Sequence, residues 1–125
     1  MTGRGRTSAT ETLIFHELRV YNHVNAKDRP ITYCRTGAGV EVDFVIEIER
    51  KTVDRTPRVV LLETKLGKQW KRKWEHGLRE LMRSDKVSVA GAYGIYTGDE
   101  TYSFDGIEVL PAERFLYDLH AGRVF

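Results

Sequence analysis

The sequence predicts an α/β fold in which a mixed central sheet is flanked by helices, and three observations predict it. Apolar residues recur at helical spacing near the start. Two neighbouring stretches, Val40–Ile48 and Arg58–Lys65, then read as strands, one by alternation and one by an unbroken aliphatic run. A second helically periodic stretch and several shorter strand-like ones follow. Helices before, between and after strands favour a sheet covered by helices over an all-β or all-α arrangement.

Length and composition set the outer bounds. The 125 residues suit one domain, 8–125, behind a loose Gly-, Arg- and Thr-containing arm at 1–7. An apolar fraction of 41% is that of an ordinary globular protein. No apolar run reaches bilayer length, so no membrane partner is expected. Cys34 is the only cysteine, which rules out an internal disulfide, fits a reducing cytoplasm and suits a small buried thiol. The net charge of +2 does not announce nucleic acid, but its distribution is uneven. Eight basic residues (Lys65, Lys68, Lys71, Arg72, Lys73, Arg79, Arg83, Lys86) lie between 65 and 86, against Glu75, Glu80 and Asp85.

Taken in order, Ser8-Ala-Thr-Glu11 has the capping-box pattern and starts a helix near Ala9 that runs to His23 or Asn25. Leu13, Ile14, Leu18, Tyr21 and Val24 form its apolar arc. Glu17 falls inside that arc and Glu11 at its edge, where a carboxylate calls for a reason. Lys27-Asp-Arg-Pro30 breaks the helix. Ile31–Arg35 reads as a strand, and Thr36-Gly-Ala-Gly39 as a turn. In Val40–Ile48 the alternation puts Val40, Val42, Phe44, Ile46 and Ile48 on one face and Glu41, Asp43, Val45 and Glu47 on the other. Residues 49–57 form a polar hairpin loop before the central strand Arg58–Lys65.

Leu66-Gly67 ends that strand, and a helix is expected over Gln69–Arg83. Trp70, Trp74, Leu78, Leu81 and Met82 mark its apolar face, and Arg72, His76, Arg79 and Arg83 the opposite one. Strands are expected at Val87–Tyr96, around Tyr102–Phe104 and at Ile107–Leu110, with turns at Thr97-Gly-Asp-Glu100 and Asp105-Gly106. Pro111 suits the first turn of a last helix through Phe115, Leu116 and Leu119, ending near Gly122.

The chemistry concentrates where the aliphatic run Val59–Leu62 gives way to Glu63-Thr-Lys65. Side chains alternate along a strand, so Glu63 and Lys65 share a face with Val59 and Leu61. A short hairpin lets Asp43 on the preceding strand approach Glu63. Two adjacent carboxylates disfavour joint ionisation. A hard divalent cation, Mg²⁺ or Mn²⁺, relieves that repulsion and activates water for attack on a phosphate. Lys65 would orient the water or offset developing charge.

Asp43 followed by Glu63-x-Lys65 resembles the PD-(D/E)xK nuclease superfamily, whose core order is helix, three-stranded meander, helix, strand. A closer resemblance lies in Glu11-Thr-Leu-Ile-Phe-His-Glu-Leu18, Tyr33-Cys-Arg35, Glu41-Val-Asp-Phe-Val45 and Ile107-Glu-Val-Leu-Pro111. These look like the uncharacterised nuclease-like domain that follows many prokaryotic AAA-type ATPases, and the likeness runs from about Ser8 to Leu119. It implies a restriction-endonuclease-like fold, Mg²⁺ at Asp43 and Glu63, a catalytic Lys65, and a supporting glutamate from the first helix. The family pattern favours Glu11 for that role and periodicity favours Glu17, so both are carried. The resemblance also implies nucleic acid, above all DNA, as substrate, a homodimer by analogy with junction-resolving relatives, and an ATPase partner. The family's Glu-Val-Lys is Glu63-Thr-Lys65 here, and no phosphate-binding loop of an ATPase is present. Arg35, Lys68, Gln69, Lys71 and Arg72 are the candidate nucleic-acid contacts.

Each residue also has a plainer reading. Asp43 alone reads as an exposed strand residue or a turn-facing acid, and Glu63 with Lys65 as an ordinary same-face ion pair. Glu11 closes the capping box with Ser8, and Glu17 pairs with Arg35 or a lysine. The basic helix face reads as solvated, and Trp70 and Trp74 as core. His16-Glu17 lacks the second histidine of a zinc-protease helix, because Val20 stands there. The alternative function is a catalytically silent nuclease-fold module that docks a protein or binds nucleic acid.

Overall fold

The computed structural model describes residues 8–125, so the arm expected at 1–7 lies outside the described residues. Helix α1 spans Ala9–Val24, followed by strands β1 (Ile31–Arg35), β2 (Glu41–Glu49) and β3 (Arg58–Thr64). A 3-10 turn at Arg72–Glu75 leads into α2 (His76–Arg83). Strands β4 (Ser88–Tyr96), β5 (Tyr102–Phe104) and β6 (Ile107–Pro111) precede α3 (Ala112–His120). The sheet has six strands in the order β1-β2-β3-β4-β6-β5. Strands β1 to β3 form an antiparallel meander, β3, β4 and β6 run parallel, and β5 returns antiparallel. The α/β class and the element order are those expected.

The sheet is covered on both sides. Ile14, Leu18 and Tyr21 of α1 and Phe115 and Leu119 of α3 pack on Phe44, Ile46, Val60, Leu62 and Ile95. Leu78 of α2 packs on the other face against Val42, Val59, Leu61, Ala92, Tyr96 and Val109. Each fully buried aliphatic side chain here contributes roughly 1.5–3 kcal/mol over an exposed one. The β5–β6 turn is Asp105-Gly106, with φ of 48° and 93°, a left-handed pair that glycine and aspartate tolerate.

Three expectations are corrected. The alternation of β2 does not run unbroken. Val42 and Val45 face α2, whereas Phe44 and Ile46 face α1 and α3. Thr32 pairs with Val45 but Cys34 with Val42, so Asp43 and Phe44 together oppose the single residue Tyr33. This is a β-bulge, which re-aims side chains and is common beside functional sites.

The second helix starts later than Gln69. Trp70 lies over Gly94, where a Cβ would come within 2.5 Å of the indole, and Gly67 is pinned to Thr97 Oγ1 by bonds of 2.8 and 2.9 Å. These contacts hold residues 67–71 out of helical geometry. In α1 the buried arc is Ile14, Leu18 and Tyr21, while Leu13 and Val24 are exposed.

Candidate functional site

The centre forms where β2 and β3 part. Their ladder ends at the pair Phe44–Leu62. Beyond it, side chains replace carbonyls as acceptors. The Asp43 amide donates to Glu63 Oε1 at 3.0 Å. In return, the Thr64 amide and hydroxyl donate to Asp43 Oδ2 at 2.7 and 2.9 Å. Both carboxylates are buried, at 4% exposure for Asp43 and 5% for Glu63. Both line one cavity of about 350 Å³ with Glu11, Glu41, Lys65, Lys73, Trp74 and His76. The expectation that the acids meet is met, and the bulge at Asp43 is part of how.

Lys65 Nζ lies 3.0 Å from Glu63 Oε2. The Lys65 amide continues the parallel pairing by donating to Ile95 O at 2.8 Å, which fixes where the side chain leaves the sheet. One lysine does not offset the acidity around it. Burial, then the neighbouring Asp43 charge, push the Glu63 carboxyl up to about 7 despite the opposing pull of Lys65. The donors here are carboxylate oxygens, the set a hard cation prefers, and two such ligands with waters complete a Mg²⁺ shell. Among the described residues, no three His, Cys, Asp or Glu side chains are already gathered as a metal cage. Asp43 and Glu63 line the cavity as a pair of carboxylates, with Glu11 on its wall.

The two glutamates carried from α1 separate. Glu11 lines the cavity, and its amide donates to the N-cap Ser8 Oγ at 3.0 Å. Glu17 is instead bonded to His120 Nε2 of α3 at 2.7 Å and joins the two helices. Ser8 thus caps α1, Glu11 lines the cavity and Glu17 ties α1 to α3.

The basic candidates also divide. Arg35 stands opposite Glu41 in the β1–β2 register, 4.0 Å from its carboxylate. Lys68, Gln69 and Lys71 are exposed on the segment leaving β3, with Lys71 Nζ 5.6 Å above the Trp74 ring. Arg72 turns elsewhere. It lies 4.1 Å over the Phe104 ring and 2.9 Å from Glu75. Arg79 turns inward, donating to Glu75 at 2.5 and 3.0 Å, and so leaves the solvated face expected of it, whereas Arg72 remains exposed.

Sequence reasoning missed three participants. Lys73 and His76 line the acidic cavity, although a charge-rich run gave no sign of it. Gly77 lets α2 approach β2 closely, since a Cβ there would sit 2.1 Å from the Glu41 carbonyl oxygen. Its signal was a lone glycine near the start of an otherwise regular helix. Trp70 and Trp74 pack edge to face at 5.2 Å, and Trp70 belongs to the core as expected.

No described helix is long and apolar enough to cross a membrane. No curated protein and no solved structure matches the chain. The profile of one family, Domain of unknown function (DUF4143), matches residues 6–115. That span takes in the α1 glutamates, both strand carboxylates, Lys65 and the 3-10 turn, and the chain belongs to the DUF4143 family.

Proposed function

We propose that this protein is a Mg²⁺- or Mn²⁺-dependent nuclease, with a fold of the PD-(D/E)xK type, that hydrolyses phosphodiester bonds in DNA. One observation carries the reading. Two buried carboxylates from adjacent strands line a single cavity, with Lys65 Nζ 3.0 Å from one of them. Asp43 and Glu63 would hold the ion, which supplies an activated water and positive charge against a phosphate. Glu11, on the cavity wall, would support the ion. Lys65 would set its charge against the negative charge that develops on the phosphate. Lys73 adds a second cation on the same wall. Lys68, Gln69, Lys71 and Arg35 line the approach as contacts to the strand. A cytoplasmic location, association with an AAA-type ATPase and a homodimer that places two such centres on one branched DNA fit this reading.

Calorimetry with Mn²⁺ tests it together with cleavage of linear and branched DNA. The parent should bind Mn²⁺ and cut. Asp43→Ala should lose both, and Lys65→Ala should keep binding and lose cutting.

A second reading has its own support. Asp43 and Glu63 also join β2 to β3 through backbone amides, which is a structural role in itself. Leu13, Val20 and Val24 are exposed on α1. A silent docking module for an ATPase would use such a surface. It would bind no divalent ion, and Asp43→Ala would match the parent in every nucleic-acid assay.

A further inference from the structure

A second cavity opens beside the acidic one and shares Glu11 and Asp43 with it. We propose that this cavity receives an unpaired nucleobase, so that single-stranded or tailed nucleic acid, not blunt duplex, is the substrate class. The inference rests on the nuclease reading above and narrows it.

The cavity measures about 460 Å³, within the range of roughly 300–1,000 Å³ typical of small-ligand sites. Its walls are Phe15, Ile31, Tyr33 and Phe44, with Arg35 at the strand end. Phe15 and Phe44 lie parallel, 5.8 Å apart and 1° from coplanar directions. Tyr33 stands on the edge strand at 65% exposure, an aromatic face turned to solvent. The bulge sets this arrangement, because it places Tyr33 opposite both Asp43 and Phe44. Flat aromatic faces with a neighbouring cation are how proteins hold single-stranded bases without reading their identity. A base inside a duplex is stacked and paired, and extruding it costs free energy that an unpaired base does not. The shared wall sets the register: a phosphate held by the acidic cavity leaves an adjacent base at the mouth of the aromatic one.

The test measures binding with Ca²⁺ in place of Mg²⁺, using the full chain. The ligands are a blunt duplex and the same duplex with a single-stranded tail carrying 2-aminopurine. The tailed ligand should bind about tenfold or more tightly, its fluorescence should be quenched on binding, and Tyr33→Ala should remove both effects. Tyr33 is exposed at the sheet edge, so an unchanged melting temperature will establish that this variant folds. Equal affinity for both ligands overturns the base subsite and leaves the nuclease reading standing. Preference for the tail that survives Tyr33→Ala with quenching intact also overturns it, since the base then sits elsewhere. Binding of neither ligand overturns the subsite and the nuclease reading together.

Discussion

Two buried glutamates, Glu63 and Glu75, stand twelve positions apart and meet opposite electrostatic surroundings. Glu75 is 1% exposed, and its carboxylate takes the Trp70 indole N–H at 2.8 Å and the guanidinium groups of Arg72 and Arg79. Burial alone would raise its pKa, but those three donors outweigh burial and hold it below the ordinary carboxylate value. Glu63 has one cation and a second carboxylate beside it, and burial drives it up to about 7. The first charge is neutralised from within and fastens the 3-10 turn to β5 through the Arg79 bond to Phe104 O. The second, with a carboxylate for a neighbour and a single lysine against it, stays less well compensated, as groups at functional sites often are.

The largest effect that sharpens this contrast is Glu75→Ala. It removes the buried acceptor shared by the Trp70 indole N–H and two arginines, and should cost about 3–5 kcal/mol in urea unfolding. Glu63→Gln should act in the other direction. The folded-state pKa of Glu63 is raised above the unfolded value of about 4.5. Its contribution to stability is therefore fully present below about pH 4.5 and is lost as pH rises towards 7. The glutamine variant should be more stable than the parent at pH 7.5 by up to about 3 kcal/mol. The two stability–pH curves should converge below pH 4.5. Parallel curves would break the contrast between the two glutamates.

The smallest effects separate the two α1 glutamates. Glu11→Ala should weaken Mn²⁺ binding about tenfold by calorimetry. Glu17→Ala should leave it unchanged and cost less than about 1 kcal/mol, because its pair with His120 is partly solvated. The reverse result would move the site along α1.

Much of the fold was legible because its signals are local. The Ser8 cap, the aliphatic run of β3, the Asp105-Gly106 turn and the start of α3 after Pro111 each depend on a few consecutive residues. The centre was legible for the same reason, since Glu63 and Lys65 take their shared face from strand geometry. What escaped depends on partners distant in sequence. The bulge in β2 is a relation between Asp43, Phe44 and Tyr33, and periodicity within one strand does not contain it. Glu75 sits in a charge-rich run that reads as solvated, yet it is buried and bonded to the indole of Trp70, which itself packs on Gly94. Glu17 looked like a site residue because it occupied the apolar arc. His120, 103 positions away, explains it.

The exchanged bonds at the β2–β3 fork make the backbone itself an indicator. The Asp43 and Thr64 amides donate to carboxylate oxygens in place of strand carbonyls. Any event that draws electron density from those oxygens, a proton arriving or a cation settling, is transmitted to two peptide N–H groups. The Asp43 amide resonance should therefore move as Glu63 titrates, and under the nuclease reading proposed above both amides should move with added Mg²⁺, a built-in gauge that needs no label on the side chains.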